Sequence, residues 1–133
     1  MDNTSKPGVW PAILYTDTEA ARRFLIEVIG FTESFTVRGE DGTTVRHGEL
    51  MWPEGGGVMY GCAANGHTGQ SESATGSSLL YVATRDPDQV CERARAAGAK
   101  ILAEPHDTDY GSRNVAIADP DGNVWTFGTY GGA

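Results

Sequence analysis

The chain has 133 residues, a formal net charge of −8 and 39% hydrophobic residues, which is one domain's worth of sequence with enough apolar content to bury a core. That charge, with no Lys/Arg cluster to set against it, excludes a nucleic-acid backbone as partner, and no apolar run approaches the ~20 residues of a membrane span. A negative field favours a cationic or neutral small ligand, although solubility alone also accounts for it.

Residues 9–15 are apolar enough for a buried strand. Thr16 or Asp17 then caps a helix, with Glu19 at capping-box distance behind Thr16. Ala21, Phe24, Leu25 and Val28 fall on one helical stripe, and Gly30 supplies a left-handed stop. Three strand-like runs follow, at residues 31–38, 43–52 and 57–62. Their turns are Glu40-Asp41-Gly42 and Pro53-Glu54-Gly55-Gly56. Residues 63–77 are small, polar and Gly/Ser-rich, and read as a linker. A strand at 79–83 comes next. Asp86-Pro87-Asp88-Gln89 then opens a second helix with a capping Asp and Pro in the first turn, its buried stripe being Val90, Cys91, Ala94 and Ala97 before Gly98. Strands at 100–104, 113–118 and 123–129 finish the chain, the last two joined by Asp119-Pro120-Asp121-Gly122.

The order β-α-β-β-β thus occurs twice, and the two copies agree in detail. RHGELMWPEGGGVMYG (46–61) and RNVAIADPDGNVWTFG (113–128) align without a gap, matching Arg46/Arg113, Pro53/Pro120, Glu54/Asp121, Gly55/Gly122, Tyr60/Phe127 and Gly61/Gly128. A duplicated module commonly builds its site where the halves meet. The expected organisation is one domain over 1–133, with a first module at about 9–62, a linker at 63–77 and a second module at about 78–130. The start, MDNTSKPG, lacks the basic region and apolar core of a secretory signal. Cys62 and Cys91 show no ligand spacing and read as buried free thiols, so a cytoplasmic location is expected.

Three segments, ILYTDTEAARRFLIEVIGF (13–31), LLYVATRDPDQVCERARAAGAKI (79–101) and DYGSRNVAIADPDGNVWTFGTY (109–130), resemble the vicinal-oxygen-chelate superfamily. That group holds glyoxalase I, extradiol dioxygenases, fosfomycin-resistance enzymes and bleomycin-resistance proteins. The resemblance implies an α+β fold in which two βαβββ modules curl mixed sheets around a central cavity, commonly across a homodimer. It also implies metal-ligand places on the first and last strand of each module. Counted from the helix caps and hairpin turns, these places fall on Trp10, Met59, Leu79 and Thr126. None offers the imidazole, carboxylate or thiolate that a divalent metal needs, and a slip of one residue does not restore one. No metal or other cofactor is expected, and the oxyanion chemistry that such a metal supports loses its Lewis acid.

The replacements instead suggest an apolar, polarisable floor of Trp10, Met59 and Leu79, with Ala12 and Leu14 beside Trp10 and Tyr81 beside Leu79. Ala12, Gly57, Gly61 and Gly128 leave room; the alternative is a floor whose side chains simply fill the space. Trp52, at a strand end, is expected at a cavity rim or dimer interface, Tyr110 on a loop overhanging the cavity, and Trp125 in the core. Arg113 can anchor an anionic group, but its repeat partner Arg46 favours a structural role for both near the hairpin, with Asp119 a candidate partner. Of the histidines, His47 shares a strand face with Glu49, His67 lies in the linker, and His106 opens a His-Asp-x-Asp loop cluster that reads as solvated more readily than as a metal site.

No nucleophile elbow or phosphate loop is present. An isolated Glu49 facing the cavity is the one protein-based candidate for a general base. The reading leans to a metal-free binding protein for a small, partly aromatic, neutral or cationic molecule, as in drug sequestration, with Trp10, Leu14, Glu49, Trp52, Met59, Leu79, Tyr81, Tyr110 and Thr126 around the ligand. The alternative is a lyase, isomerase or dioxygenase-type enzyme with a non-standard metal site or with Glu49 as base. A homodimer is expected, because the modules leave sheet edges and a concave face uncovered.

Overall fold

The computed structural model describes residues 6–65 and 75–133, so His67 and most of the linker lie outside the described residues. The first module comprises β1 (Ala12–Tyr15), α1 (Thr18–Arg23) running into a π-helical turn (Phe24–Ile29), β2 (Thr32–Arg38), β3 (Val45–Met51) and β4 (Gly57–Cys62). The second comprises β5 (Leu79–Ala83), α2 (Pro87–Ala96), β6 (Lys100–Asp107), β7 (Arg113–Ala118) and β8 (Val124–Gly128). Each module is one four-stranded mixed sheet, ordered β1-β4-β3-β2 and β5-β8-β7-β6. β1 runs parallel to β4 and β5 to β8, the remaining pairs being antiparallel. The α+β architecture read from the repeat is the observed one.

Local chemistry explains where the elements start and stop, and where they depart from expectation. Asp17, rather than Thr16, caps α1, its carboxylate accepting from the Glu19 and Ala20 amides at 3.1 Å. Glu19 makes no capping box and instead pairs with Arg38. Ala21, Phe24 and Leu25 are buried, but Ile29 and not Val28 completes the stripe. The Gly30 amide bonds to the Leu25 carbonyl, an i→i+5 contact at 3.1 Å, and that wider turn rotates Ile29 toward the core. In the second module Asp86 caps α2 through the Gln89 amide, while Ala97 follows the last helical residue and is exposed. β6 extends to Asp107, past its predicted end at residue 104. It is an edge strand with a register shift between Ala103 and His106, so Pro105 can sit there without costing a ladder hydrogen bond.

Both sheets bury their helix-bearing faces in one shared core. Ile13, Tyr15, Leu25, Leu50 and Val58 come from the first module, and Val90, Cys91, Ile117, Trp125 and Phe127 from the second. Aromatic contacts cross the junction, with Phe31 5.2 Å from Trp52 and 5.7 Å from Trp125, and Trp52 6.0 Å from Phe127. The opposite faces stay open and carry exposed Phe35 and Val37 on the first sheet and Leu79 and Tyr81 on the second.

Two related latches hold the modules together. At the end of β1, the Tyr15 hydroxyl donates to Asp119 at 2.7 Å, and the Thr16 amide donates to Asp121 at 2.9 Å. At the end of β5, Thr84 Oγ1 and the Arg85 amide donate to Glu54 at 2.7 and 2.9 Å, and Trp52 Nε1 donates to the Ala83 carbonyl at 2.9 Å. The matched acids Glu54 and Asp121 therefore do one job twice. Arg113 pairs with Asp88 at 2.8 Å and Asp107 at 3.1 Å rather than with Asp119, because Asp119 turns inward to the core.

Tyr60 packs in this core with its hydroxyl unpartnered. Burial, first, pushes its phenol up to about 12 from an ordinary 10.0, with smaller contributions from the charged groups around it. A buried hydroxyl without a partner costs roughly 1–3 kcal/mol, so Tyr60→Phe should unfold at equal or higher denaturant concentration than the parent. The raised value means that the hydroxyl's ionisation favours the unfolded chain as pH climbs from 10.0 toward about 12. The Phe variant should therefore lose less stability across that interval, as read by urea melts at successive pH values.

Candidate functional site

The open face of the first sheet is set by strand alternation. Ala12 and Leu14 on β1, Met59 and Gly61 on β4, and His47, Glu49 and Met51 on β3 project away from the helices, with Phe35 and Val37 beside them on β2. Trp10 extends this surface just before β1. A side chain at Gly57 would come within 2.8 Å of the Trp10 ring, so the glycine is what lets the indole lie on the sheet. A depression of about 160 Å³ lies alongside, lined by Ala12, Leu14, Arg46, His47, Met59 and Gly61 among others.

Glu49 is not isolated there. His47 Nε2 and a Glu49 carboxylate oxygen are 2.7 Å apart, and the imidazole meets Phe35 edge-on at 6.2 Å between centroids. Two residues apart on one strand, their side chains share a face, and neighbours on an open sheet pair with one another when no other partner is near.

The open face of the second sheet is built around tyrosines. Leu79 is 82% exposed and Tyr81 46% exposed; Thr126 sits directly opposite Tyr81 on β8. The Tyr81 hydroxyl donates to the Tyr130 carbonyl at 2.6 Å, and the Tyr130 ring meets Tyr110 edge-on at 6.0 Å. Beneath them Asn114 Nδ2 donates to the Tyr110 hydroxyl at 3.1 Å, and Ser112 Oγ donates to Asn114 Oδ1 at 2.6 Å. A side chain at Gly128 would collide with Tyr81 and Asn114, so this glycine serves the tyrosines as Gly57 serves Trp10.

Of the nine residues expected around a ligand, Trp10, Leu14, Glu49 and Met59 gather on the first sheet, and Leu79, Tyr81, Tyr110 and Thr126 on or beside the second. Trp52 is on neither. It is 9% exposed, at the module junction, because its indole N–H finds the Ala83 carbonyl and its ring finds Phe31 and Phe127. Trp125 is fully in the core. The two modules share the core between their helix-bearing faces, which leaves the two open faces as separate surfaces of one chain.

The metal question turns on donor chemistry. His106 and Asp107 belong to β6, where His106 Nδ1 lies 2.8 Å from the Glu104 carbonyl and Asp107 pairs with Arg113. This takes apart the loop cluster expected from the sequence. Among the described residues no three His, Cys, Asp or Glu side chains come together in a way that could hold a metal ion. Trp10, Met59, Leu79 and Thr126, at the places where the resemblance implies ligands, offer no imidazole, carboxylate or thiolate to a divalent ion.

Sequence reasoning missed Phe35, Val37, Met51 and Tyr130 as surface neighbours of the expected site. Alternation counted outward from Glu49 reaches Met51, and the cross-strand partners of Glu49 and His47 are Phe35 and Val37. Tyr130 lies beyond the last strand, where no periodicity marks it.

Residues 9–127 match the family described as the Glyoxalase/Bleomycin resistance protein/Dioxygenase superfamily. The chain belongs to that superfamily. Among solved structures of the glyoxalase/bleomycin-resistance fold, it is similar to TioX from Micromonospora sp. ML1, with 28% identity and a TM-score of 0.75 over 91% of this chain and 98% of that one. It also shares the fold of TnmS3, an antibiotic binding protein from Streptomyces sp. CB03234, with 21% identity and a TM-score of 0.72 over 95% of this chain and 97% of that one. An uncharacterized protein of Mycobacterium tuberculosis strain H37Rv is 27% identical over 129 residues, covering 92% of this chain and 74% of its own length. No helix among the described residues is long and apolar enough to cross a membrane.

Proposed function

We propose that this superfamily member is a binding protein, taking up a small, partly aromatic, neutral or cationic molecule without a metal, and that a homodimer sets an open face of one protomer against an open face of its partner to enclose it. The observation that carries this reading is the lining. At the places where the resemblance implies metal ligands, this chain has Trp10, Met59, Leu79 and Thr126, and Leu14 on the first sheet and Tyr81 and Tyr110 by the second add apolar and stacking surface beside them. The open, partly apolar faces favour association, and the net charge of −8 favours a cation over an anion. The shared fold with an antibiotic binding protein is compatible with drug sequestration, though fold alone carries no ligand identity.

Titration with amphipathic aromatic antibiotics should quench tryptophan emission saturably. Trp10→Ala should weaken the binding by roughly 30-fold, the effect of losing a buried aromatic anchor worth about 2 kcal/mol. A purified protein carrying one divalent ion per chain, lost on replacing His47 or His106, would overturn the metal-free reading.

The hydrogen-bonded His47–Glu49 pair supports a second reading, in which the same face performs proton transfer with Glu49 holding His47 as the base. Under it Glu49→Gln abolishes turnover of a bound compound while leaving its affinity intact. Under the binding reading there is no turnover to lose.

A further inference from the structure

We propose that the cavity at the junction of the two modules, which borders the open faces at Gly57, Leu79 and Tyr81, is a second small-molecule site, for a flat aromatic compound carrying one cationic amine. The cavity measures about 430 Å³, within the range of small-ligand sites. Phe31, Trp52 and Trp125 form its aromatic wall and Leu80 and Val82 of β5 face them, with Val9 and Leu79, both largely exposed, at its rim.

The repeat explains why the space is there. The first module turns from β3 to β4 through Gly55-Gly56-Gly57, where the second has Gly122-Asn123-Val124. On the second module's side Asn123 is completely buried, and its amide spans from Asp119 at 2.8 Å to the Ser78 amide at 2.9 Å. The matching Gly56 has no side chain, and nothing lies within 4 Å of where one would begin at Gly55 or Gly56. Both glycines have φ above +80°, a backbone that disfavours any side chain. The turn therefore keeps the volume empty on one side of the molecule and filled on the other.

Charge selects the ligand. Glu54 is the one ionisable acid or base of the low-pH range among the lining residues. Thr84 Oγ1 and the Arg85 amide each hold one of its oxygens, which fixes the carboxylate and leaves lone pairs for another donor. Arg85 approaches it at 3.7 Å but is 94% exposed on its side chain, so that pair is screened and competes weakly. A compound with its ammonium beside Glu54 and its ring among Phe31, Trp52 and Trp125 also gains aromatic contact. Such an occupant touches Trp52 and Glu54 of one module and β5 of the other.

The three tryptophans make the test site-specific, since Trp52 and Trp125 line the junction and Trp10 lies on the open face. The indole N–H resonances are followed by NMR while the protein is titrated with 2-phenylethylamine and, separately, with phenylacetate. The amine should shift Trp52 and Trp125 saturably, at least tenfold more tightly than the carboxylate. Glu54→Gln should erase that preference, and Leu80→Phe or Val82→Phe, each filling the cavity, should abolish the shifts. Shifts confined to Trp10, equal binding of both probes, or shifts that survive both filling variants would overturn the junction site. Antibiotic binding at the open faces is decided separately by the Trp10→Ala titration, since Trp10 is not among the residues that line the junction cavity.

Discussion

Replacing Asp119 with alanine should cost about 3–5 kcal/mol of stability, since several buried donors lose their acceptor at roughly 1–3 kcal/mol each. The carboxylate is buried, and among the described residues its partners are all neutral donors. Oδ1 accepts from the backbone amides of Asp121, Gly122 and Asn123. Oδ2 accepts from the Tyr15 hydroxyl, Asn123 Nδ2 and Trp125 Nε1 at 2.7, 2.8 and 3.0 Å. Alanine takes the acceptor away from three buried side-chain donors, the Tyr15 hydroxyl, Asn123 Nδ2 and Trp125 Nε1, and one of them, Tyr15, belongs to the other module. Asp119→Asn should cost less, since one oxygen still accepts, and Tyr15→Phe about 1 kcal/mol, as for a single hydrogen bond. Burial, and next the Asp119 charge, push the Tyr15 phenol above its ordinary value of 10.0. The stability tied to this contact is thus complete below pH 10.0 and declines above it, as the unfolded tyrosine ionises first. Urea melts of the three variants at neutral and alkaline pH test the order. An Asp119→Ala protein as stable as the parent would sink the account.

Trp52→Ala should be comparably damaging, at about 3–5 kcal/mol for a large-to-small change in a core. Residue 52 stands in the first copy of the repeat where Asp119 stands in the second, and each closes on the opposite module. Asp119 does so as an acceptor, Trp52 as a donor to Ala83 and as the ring between Phe31 and Phe127. Trp52→Phe keeps most of the ring and loses the N–H, so it should cost nearer 1 kcal/mol. If the alanine and phenylalanine variants unfold alike, the hydrogen bond rather than the packing carries the effect. A loss well under 1 kcal/mol for alanine would mean that the junction does not depend on this ring at all.

Trp52 also shows where reading the chain stops. A tryptophan at a strand end beside a Pro-Glu-Gly-Gly turn reads equally well as a rim, an interface or a core residue. The choice belongs to Ala83, thirty-one positions on, and no local pattern announces it. Glu49 and His106 are similar. The spacing that puts His47 beside Glu49 is visible in sequence, but their mutual hydrogen bond is not, and the strand that absorbs His106 and Asp107 ends later than its propensities suggest because an edge strand tolerates Pro105. Val28 lost its place in the stripe to Ile29 through one widened turn, a change that helical periodicity cannot anticipate.

What the amino-acid order determined by itself was the βαβββ repeat, since alternation, helix caps and glycine turns are local effects that act within a few residues. Counted from the same local landmarks, the places where the resemblance implies metal ligands fall on Trp10, Met59, Leu79 and Thr126. Only the tertiary structure decided which faces meet. The modules join through their helix-bearing faces and through Asp119, Asp121 and Glu54, leaving the open faces apart and a cavity beside three glycines. Those outcomes depend on contacts between residues far apart in the chain, which form only when burial of the shared core makes the matching side chains neighbours.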